Sequence, residues 1–311
     1  MYNLCCISNE LKEQGYSFKT MTWKQFNKIR DTEGEERALF LLGERWFNNV
    51  VVTLECIEHC AREGWGYRVS SSLFPVLTHP DFKYDISDVP QYDQILELFE
   101  ECRANDAWQV RLSMHPDQFV VLASENQDAV DKSIAELNHH GWVMDQLGCQ
   151  RNYYNPINIH VNCTKGDLAD IAARFMSNLN KCDQSVTSRL VVENEDRGCW
   201  TVENLLTYFF DNYGIPITHD NHHDNLNPSI LGNMQNCADT WPCKPLFHYS
   251  EGHPDKPNPR SHADMPTDCP PDFYADFDIE LKNKCYAIRR CEEIRNARLS
   301  TNCVLPTEVA S

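Results

Sequence analysis

Short apolar runs recur eight times along the chain, and a stretch with helical periodicity separates most of them from the next. The runs predict strands at Asn3–Ile7, Gly66–Val69, Gln109–Met114, Pro156–Val161, Leu190–Glu193, Pro216–Asp220, Pro245–His248 and Asp276–Glu280. Helices are predicted over about 44–63, 92–104, 127–147, 167–180, 201–212, 228–237 and 282–298. Such alternation implies parallel strands, each returned across the sheet by a helix. Eight units in 311 residues fit an α/β fold with a single (β/α)8 TIM barrel better than two domains. Residues 1–300 are thus expected to form one barrel domain with loop insertions at its C-terminal face, and 301–311 a C-terminal tail. The Pro-rich stretch Glu251–Pro271 reads as a long loop, because a strand and a helix follow it.

Polar residues sit where the predicted strands end. His115, His160, Glu193, Asp220, His248 and Glu280 close the third to eighth strands, and successive members lie 27 to 45 residues apart. Each interval is close to one strand–helix unit, so the six side chains would stand at similar heights. The strand C-termini of a barrel converge on the face that carries active sites. So many charged groups share one mouth only if cations hold them. Three histidines with three carboxylates suit Zn²⁺ or Mn²⁺ better than Mg²⁺, which prefers oxygen and water. Taken singly, each has a plainer reading: a histidine satisfied in the core, or Asp220 as a helix N-cap. Alternation along the strands places Arg111, Ser113 and His115 on one face, Asn158 with His160, and Asp278 with Glu280. The upper barrel interior is therefore expected to be polar.

Composition excludes some classes. The chain carries 28 Lys and Arg against 46 Asp and Glu, a net charge of −18, which argues against a basic nucleic-acid coat protein. No apolar run approaches the length of a membrane span, and Met1–Glu10 lacks a secretory pattern, so a cytoplasmic enzyme is expected. The 15 cysteines include no Cys-x-x-Cys pair and read as reduced, mostly buried thiols.

Several segments together resemble the ultraviolet damage endonuclease family. They are Tyr67-Arg68-Val69-Ser70-Ser71, Leu73-Phe74-Pro75, Arg111 to Phe119, Glu193-Asn194-Glu195-Asp196, Asp220-Asn221-His222-His223 with Leu226-Asn227-Pro228, His248-Tyr249-Ser250, Ser261-His262-Ala263 and Glu280-Leu281-Lys282. The resemblance runs in order from about residue 2 to 290. It implies a metal-dependent DNA repair endonuclease that nicks immediately 5′ of pyrimidine dimers, 6-4 photoproducts and abasic sites, leaving a 3′-hydroxyl and a 5′-phosphate. The related endonuclease IV family shares the barrel and a three-metal cluster. The implied cofactor is a cluster of up to three divalent ions, manganese first, with zinc or magnesium as the other fits. His115, His160 and Glu193 are implied as ligands of one ion. Glu193 would bridge to a second, held with Asp220, His248 and Glu280. His223 and His262 would hold a third; His223 is preferred to His222 because it lies three residues after Asp220. His79 matches a histidine near the family's site, as a ligand or as a loop histidine.

Two departures stand out. Leu246 occupies the place of a lysine two residues before the strand-seven histidine. The lesion-probing pair, Gln then Tyr in the family, is Gln118 and Phe119 here, which keeps stacking but loses the phenol's hydrogen bond.

The implied partner is double-stranded DNA carrying UV lesions or abasic sites, with no membrane and no obligate protein partner. Helix-distorting lesions are cheaper to bend and flip than normal duplex. Gln118 and Phe119 could enter the stack there, unless Phe119 is a core aromatic. Arg68 is expected to contact DNA. So are Lys24 and Lys28, in a stretch from Lys12 to Arg30 that holds five basic residues, one acid and four aromatics; that stretch also reads as a solvated helix. The basic last helix is the other candidate for the DNA path. Two further functions stay open: a metal-dependent barrel enzyme acting on a small sugar, and a non-catalytic damaged-DNA binding protein.

Overall fold

The computed structural model describes residues 1–105 and 109–302. Eight strands run in parallel: β1 (Tyr2–Cys5), β2 (Gly66–Val69), β3 (Leu112–Met114), β4 (Ile157–Ile159), β5 (Leu190–Glu193), β6 (Ile217–Thr218), β7 (Leu246–Tyr249) and β8 (Asp276–Ile279). Their order around the sheet is β6-β5-β4-β3-β2-β1-β8-β7. The remaining seam, between β6 and β7, is spanned by a single parallel bridge, Asp220 with His248. There the His248 N–H donates to the His219 carbonyl at 2.9 Å. The sheet is thus a nearly closed barrel with helices between the strands, as the eightfold alternation predicts.

Outward-facing residues such as Leu4, Tyr67, Met114, Ile157, Val192, Ile217, Phe247 and Phe277 are buried under the helices. Polar side chains enter the interior at every level, alongside the buried Val191 and Leu246. At the bottom, Arg111 of β3 reaches across to Asp276 of β8 at 2.8 Å and also donates to the carbonyls of Tyr154, Pro245 and Lys244. Lys244 and the amino terminus complete the shell of Asp276, at 2.7 and 3.1 Å. One layer up, Asn3 donates to Asp278 at 2.9 Å. A Cβ on Gly66, the register partner of Asn3, would come within 2.0 Å of Asn3 Oδ1, so β2 must begin with glycine.

Helix boundaries follow local chemistry. The helix predicted from about 44 begins at Glu35. Its first turn is charged, without apolar periodicity, and Glu35 and Glu36 there favour a helix N-terminus. It ends at Gly64, whose φ of 73° turns the chain into β2. The stretch Lys12–Arg30 contains the helix Trp23–Glu33, opened by a Thr22–Gln25 capping box. Of the helix predicted over 228–237 only Met234–Ala238 forms, and an unpredicted short helix, Asn221–Leu226, precedes it and ends before Pro228. The last helix, Lys284–Asn302, runs into the expected tail; residues 303–311 lie outside the described residues. The described cysteines are all free, and no described helix is long and apolar enough to cross a membrane.

Arg111→Ala would strand a fully buried carboxylate with only Lys244 and the amino terminus beside it. Urea unfolding should show a loss of about 3 kcal/mol, the low end for breaking a buried pair. An unchanged midpoint would mean those two cations suffice.

Candidate metal centre

Glu193 ends β5 and is almost completely buried at the barrel mouth. Four imidazoles converge on it. His115 Nε2 lies 3.2 Å from Glu193 Oε2, His160 Nε2 3.7 Å, and His248 Nδ1 3.2 Å. His223 Nδ1 lies 3.1 Å from Oε1. Asn158, two residues before His160 on the same strand face, also donates to Glu193. His248 in turn approaches Glu280 at 3.2 Å and Asp220 at 4.0 Å. All six strand-end residues named from the sequence therefore meet in one mouth.

Burial opposes charge on Glu193, yet His248 and His160, with hydrogen bonds from His115 and His223, hold its carboxyl well below the usual carboxylate range. Burial also disfavours charge on His248, but Glu193 and Glu280 push it up to about 9. His160, where burial wins, falls to about 4. Each of three triplets has donor atoms within 4.8 Å of one another and could hold a metal ion: His115, Glu193 and His248; His160, Glu193 and His223; Asp220, His248 and Glu280. Asp220 Oδ2 and His248 Nδ1 are buried and make no hydrogen bond. His248 Nδ1 is near three carboxylates but aligned with none of them. Buried polar atoms left this way fit coordination to a cation better than a closed hydrogen-bond network.

The remaining histidines are arranged differently from the expectation. His223 stands with His160 and Glu193. His222 packs edge-on against His262, with ring centroids 5.7 Å apart, and its Nε2 has no partner. His262 Nδ1 lies 2.8 Å from the Glu280 carbonyl. His222 is thus the member of the doublet that packs on His262, while His223 stands beside Glu193; Asp220 caps the short helix by accepting from the His223 N–H at 2.7 Å. His79 lies outside the three triplets and stacks on Trp23 with centroids 4.9 Å apart.

The Arg68 side chain is only 12% exposed and pairs with Glu280 and with Asp278, so in this structure the guanidinium balances barrel carboxylates. Leu246, in place of a lysine, is a buried residue of β7. Phe119, by contrast, is 77% exposed, which removes the core-aromatic reading, and Gln118 beside it is exposed too. Phe119 borders a groove of about 470 Å³ together with Met21, Trp23 and His79. Lys24 and Lys28 are exposed on the helix next to that groove. On the last helix, Arg289, Arg290, Arg295 and Arg298 are all taken up by acids.

Sequence reasoning passed over two neighbours of the centre. Asn194 exchanges hydrogen bonds with the Asp220 backbone, at 2.8 and 3.1 Å, stitching β5 to the end of β6. Glu195 is buried, and burial pushes its carboxyl up to about 7. Both lie in the segment Glu193 to Asp196, where their adjacency to Glu193 was the available signal.

Residues 2–305 match the family model described as UV-endonuclease UvdE. The chain belongs to that family. Similar curated proteins are named UV DNA damage endonuclease. One, from Bacillus velezensis, is 29% identical over 254 residues, covering 79% of this chain and 75% of its own length. Another, from Bacillus pumilus, is 27% identical over 293 residues and 88% of each chain. Among solved structures, SacUVDE aligns with a TM-score of 0.76 and 23% identity over 96% of this chain and 98% of its own. Endonuclease IV from Thermus thermophilus aligns with a TM-score of 0.52 and 15% identity, over 80% and 95%. Both share the barrel.

Arg68→Met should destabilise the chelator-treated protein by about 3 kcal/mol, because Glu280 and Asp278 lose their buried cation. Added divalent ion should restore much of this in a thermal melt. Equal losses with and without the ion would place Arg68 outside the charge balance of the mouth.

Proposed function

We propose that this chain is a metal-dependent endonuclease of DNA repair, which nicks the backbone immediately 5′ of UV photoproducts and abasic sites and leaves a 3′-hydroxyl and a 5′-phosphate. Membership of the UV-endonuclease family and the names of its relatives support the activity class. The observation that carries the chemistry is the one buried carboxylate, Glu193, approached by four imidazole nitrogens within 3.7 Å. Two of the surrounding polar atoms, on Asp220 and His248, lack any hydrogen bond.

His115, His160, His223, Glu193, Asp220, His248 and Glu280 would hold divalent ions, with manganese the first candidate, and His222 and His262 flank them as a further pair. Bound there, such ions lower the pKa of a water nucleophile and neutralise phosphoryl and leaving oxygens. The protein's own task is to keep Glu193 ionised and shared between imidazoles on both sides, which Asn158 assists by fixing its Oε2. Phe119 would enter the stack at a weakened site, where unstacking costs least. Lys24 and Lys28 would hold the backbone beside it. A sugar-directed barrel enzyme has no use for an exposed Phe119 above an aromatic groove, and pure DNA binding has none for the carboxylate–imidazole cluster.

The direct test is an end-labelled duplex with one defined photoproduct, incubated with metal-stripped protein reloaded with Mn²⁺, Zn²⁺ or Mg²⁺. A single cut 5′ of the lesion, restored by the ion, is expected; no cut with any ion would defeat the reading. Glu193→Gln should abolish incision and lower bound metal by at least one ion without unfolding the barrel, because a neutral amide cannot balance two cations. Full metal content with wild-type cutting would displace Glu193 from the centre. Phe119→Ala should reduce incision at a pyrimidine dimer roughly tenfold, on the scale of one lost stacking contact, and at an abasic site less, since no base must be displaced there. Equal losses would indicate a general defect.

A further inference from the structure

Phe119 sits in a tight turn, Asp117–Val120, closed by the Val120 N–H donating to the Asp117 carbonyl at 3.0 Å. Gln118 and Phe119 are its two central residues, and the peptide between them is the part of such a turn that can flip with little change elsewhere. A flip would re-aim the Phe119 ring. In this structure that peptide is held from outside the turn. Asn162 Nδ2 donates to the Gln118 carbonyl at 3.2 Å.

Asn162 is itself unusually placed. It lies two residues after His160 and adopts a left-handed conformation, φ 56°, which asparagine tolerates better than most residues. Its backbone N–H donates to Glu195 Oε1 at 2.7 Å, and the Val161 N–H is directed at the same carboxylate. Glu195 follows Glu193 on β5, is 9% exposed, and is anchored by its own N–H to the Trp200 carbonyl at 2.9 Å. The chain just past His160 is therefore clasped by a buried carboxylate from the strand that carries Glu193. From that clasp one side chain extends to the turn bearing Phe119.

We infer that Asn162 is a positioning residue that fixes the Gln118–Phe119 peptide and so sets the direction of Phe119 relative to the metal centre. The inference rests on the proposed DNA-incising function and deepens it: discrimination between a base-paired lesion and a site lacking a base depends on this one hydrogen bond.

The substitutions Asn162→Gly and Asn162→Asp separate this role from a structural one. Glycine is at ease at φ 56°, so Asn162→Gly should melt no lower than the wild type, yet it loses the bond to Gln118. Its kcat/KM for a duplex with one pyrimidine dimer should fall roughly five- to tenfold, the worth of one hydrogen bond, and for an abasic site less. Asn162→Asp keeps the backbone preference but sets an anionic oxygen against the Gln118 carbonyl, so its dimer-to-abasic ratio should fall further than that of Asn162→Gly. In a Phe119→Ala background, Asn162→Gly should change that ratio no further. An unchanged ratio in Asn162→Gly, or an equal fall of the ratio with and without Phe119, overturns the inference while leaving the endonuclease reading intact. Wild-type protein that incises neither substrate overturns both.

Discussion

A single ionised carboxylate in the barrel mouth sets the terms for everything around it. Glu193 is too buried to keep its charge by solvation, so the fold must supply compensation from within, and it does so with imidazoles from three strands and from the short helix after β6. Those imidazoles cannot all be protonated: burial, with the neighbouring imidazoles adding to it, brings His160 down to about 4. A cation removes the conflict by letting every imidazole stay neutral and every carboxylate stay ionised. The seam of the barrel lies at the same place. Asp220 and His248 form the only bridge across the gap between β6 and β7 among the described residues, so an ion joining their side chains would also tie the barrel shut.

The interior below the mouth repeats the same logic with protein cations alone. Arg111 and Lys244 neutralise Asp276, and Arg68 neutralises Glu280 and Asp278. A barrel interior filled by branched aliphatics would pack as well. Buried pairs of this kind are weak sources of net stability, and what they secure here is rotamer and height. Arg111 is fixed by four hydrogen-bonded partners and cannot slide. Charge pairing also bears on how a chain of net −18 can meet a polyanion. The arginines of the last helix are spent on acids, while Lys24 and Lys28 stand exposed beside the groove under Phe119.

The strands were legible because each is a short apolar run with a polar residue at its end, a pattern that barrel geometry makes meaningful. Predicted ends differ from observed ones where backbone geometry intervenes: β1 stops at Cys5 because Cys6 takes φ 69°, and β6 shrinks to Ile217–Thr218 because Asp220 turns to cap a helix. The six strand-end residues of the mouth were legible for the same reason, since spacing alone places them at one height. What spacing cannot carry is side-chain direction off the strands. His222 and His223 occupy adjacent positions on a one-turn helix, and only the Asp220 cap decides which ring faces Glu193. The pairing of Arg68 with Glu280 and Asp278 was not legible, because an arginine near a strand end looks the same in sequence whether it faces outward or meets a buried carboxylate. The stacking of His79 on Trp23 joins two distant segments and left no trace in spacing either.

Rigidity and exposure are distributed unequally, and the division explains how a site can be both tightly charged and open to a large substrate. Strand ends are over-determined: Asn194 binds the Asp220 backbone twice, and Glu193 is held by five side chains. The turn that carries Phe119 has an exposed aromatic, which stabilises nothing in the free protein and leaves apolar surface in water. On the proposed function, a base of the damaged duplex covers it. Its direction must nonetheless be set beforehand, because a freely rotating ring would lose on ordering what stacking returns. A single hydrogen bond from beyond β4, where the backbone is already clasped by Glu195, supplies that order without burying the ring. The precision of the barrel mouth is thereby carried outward to the rim by polar contacts, and the apolar ring is left exposed.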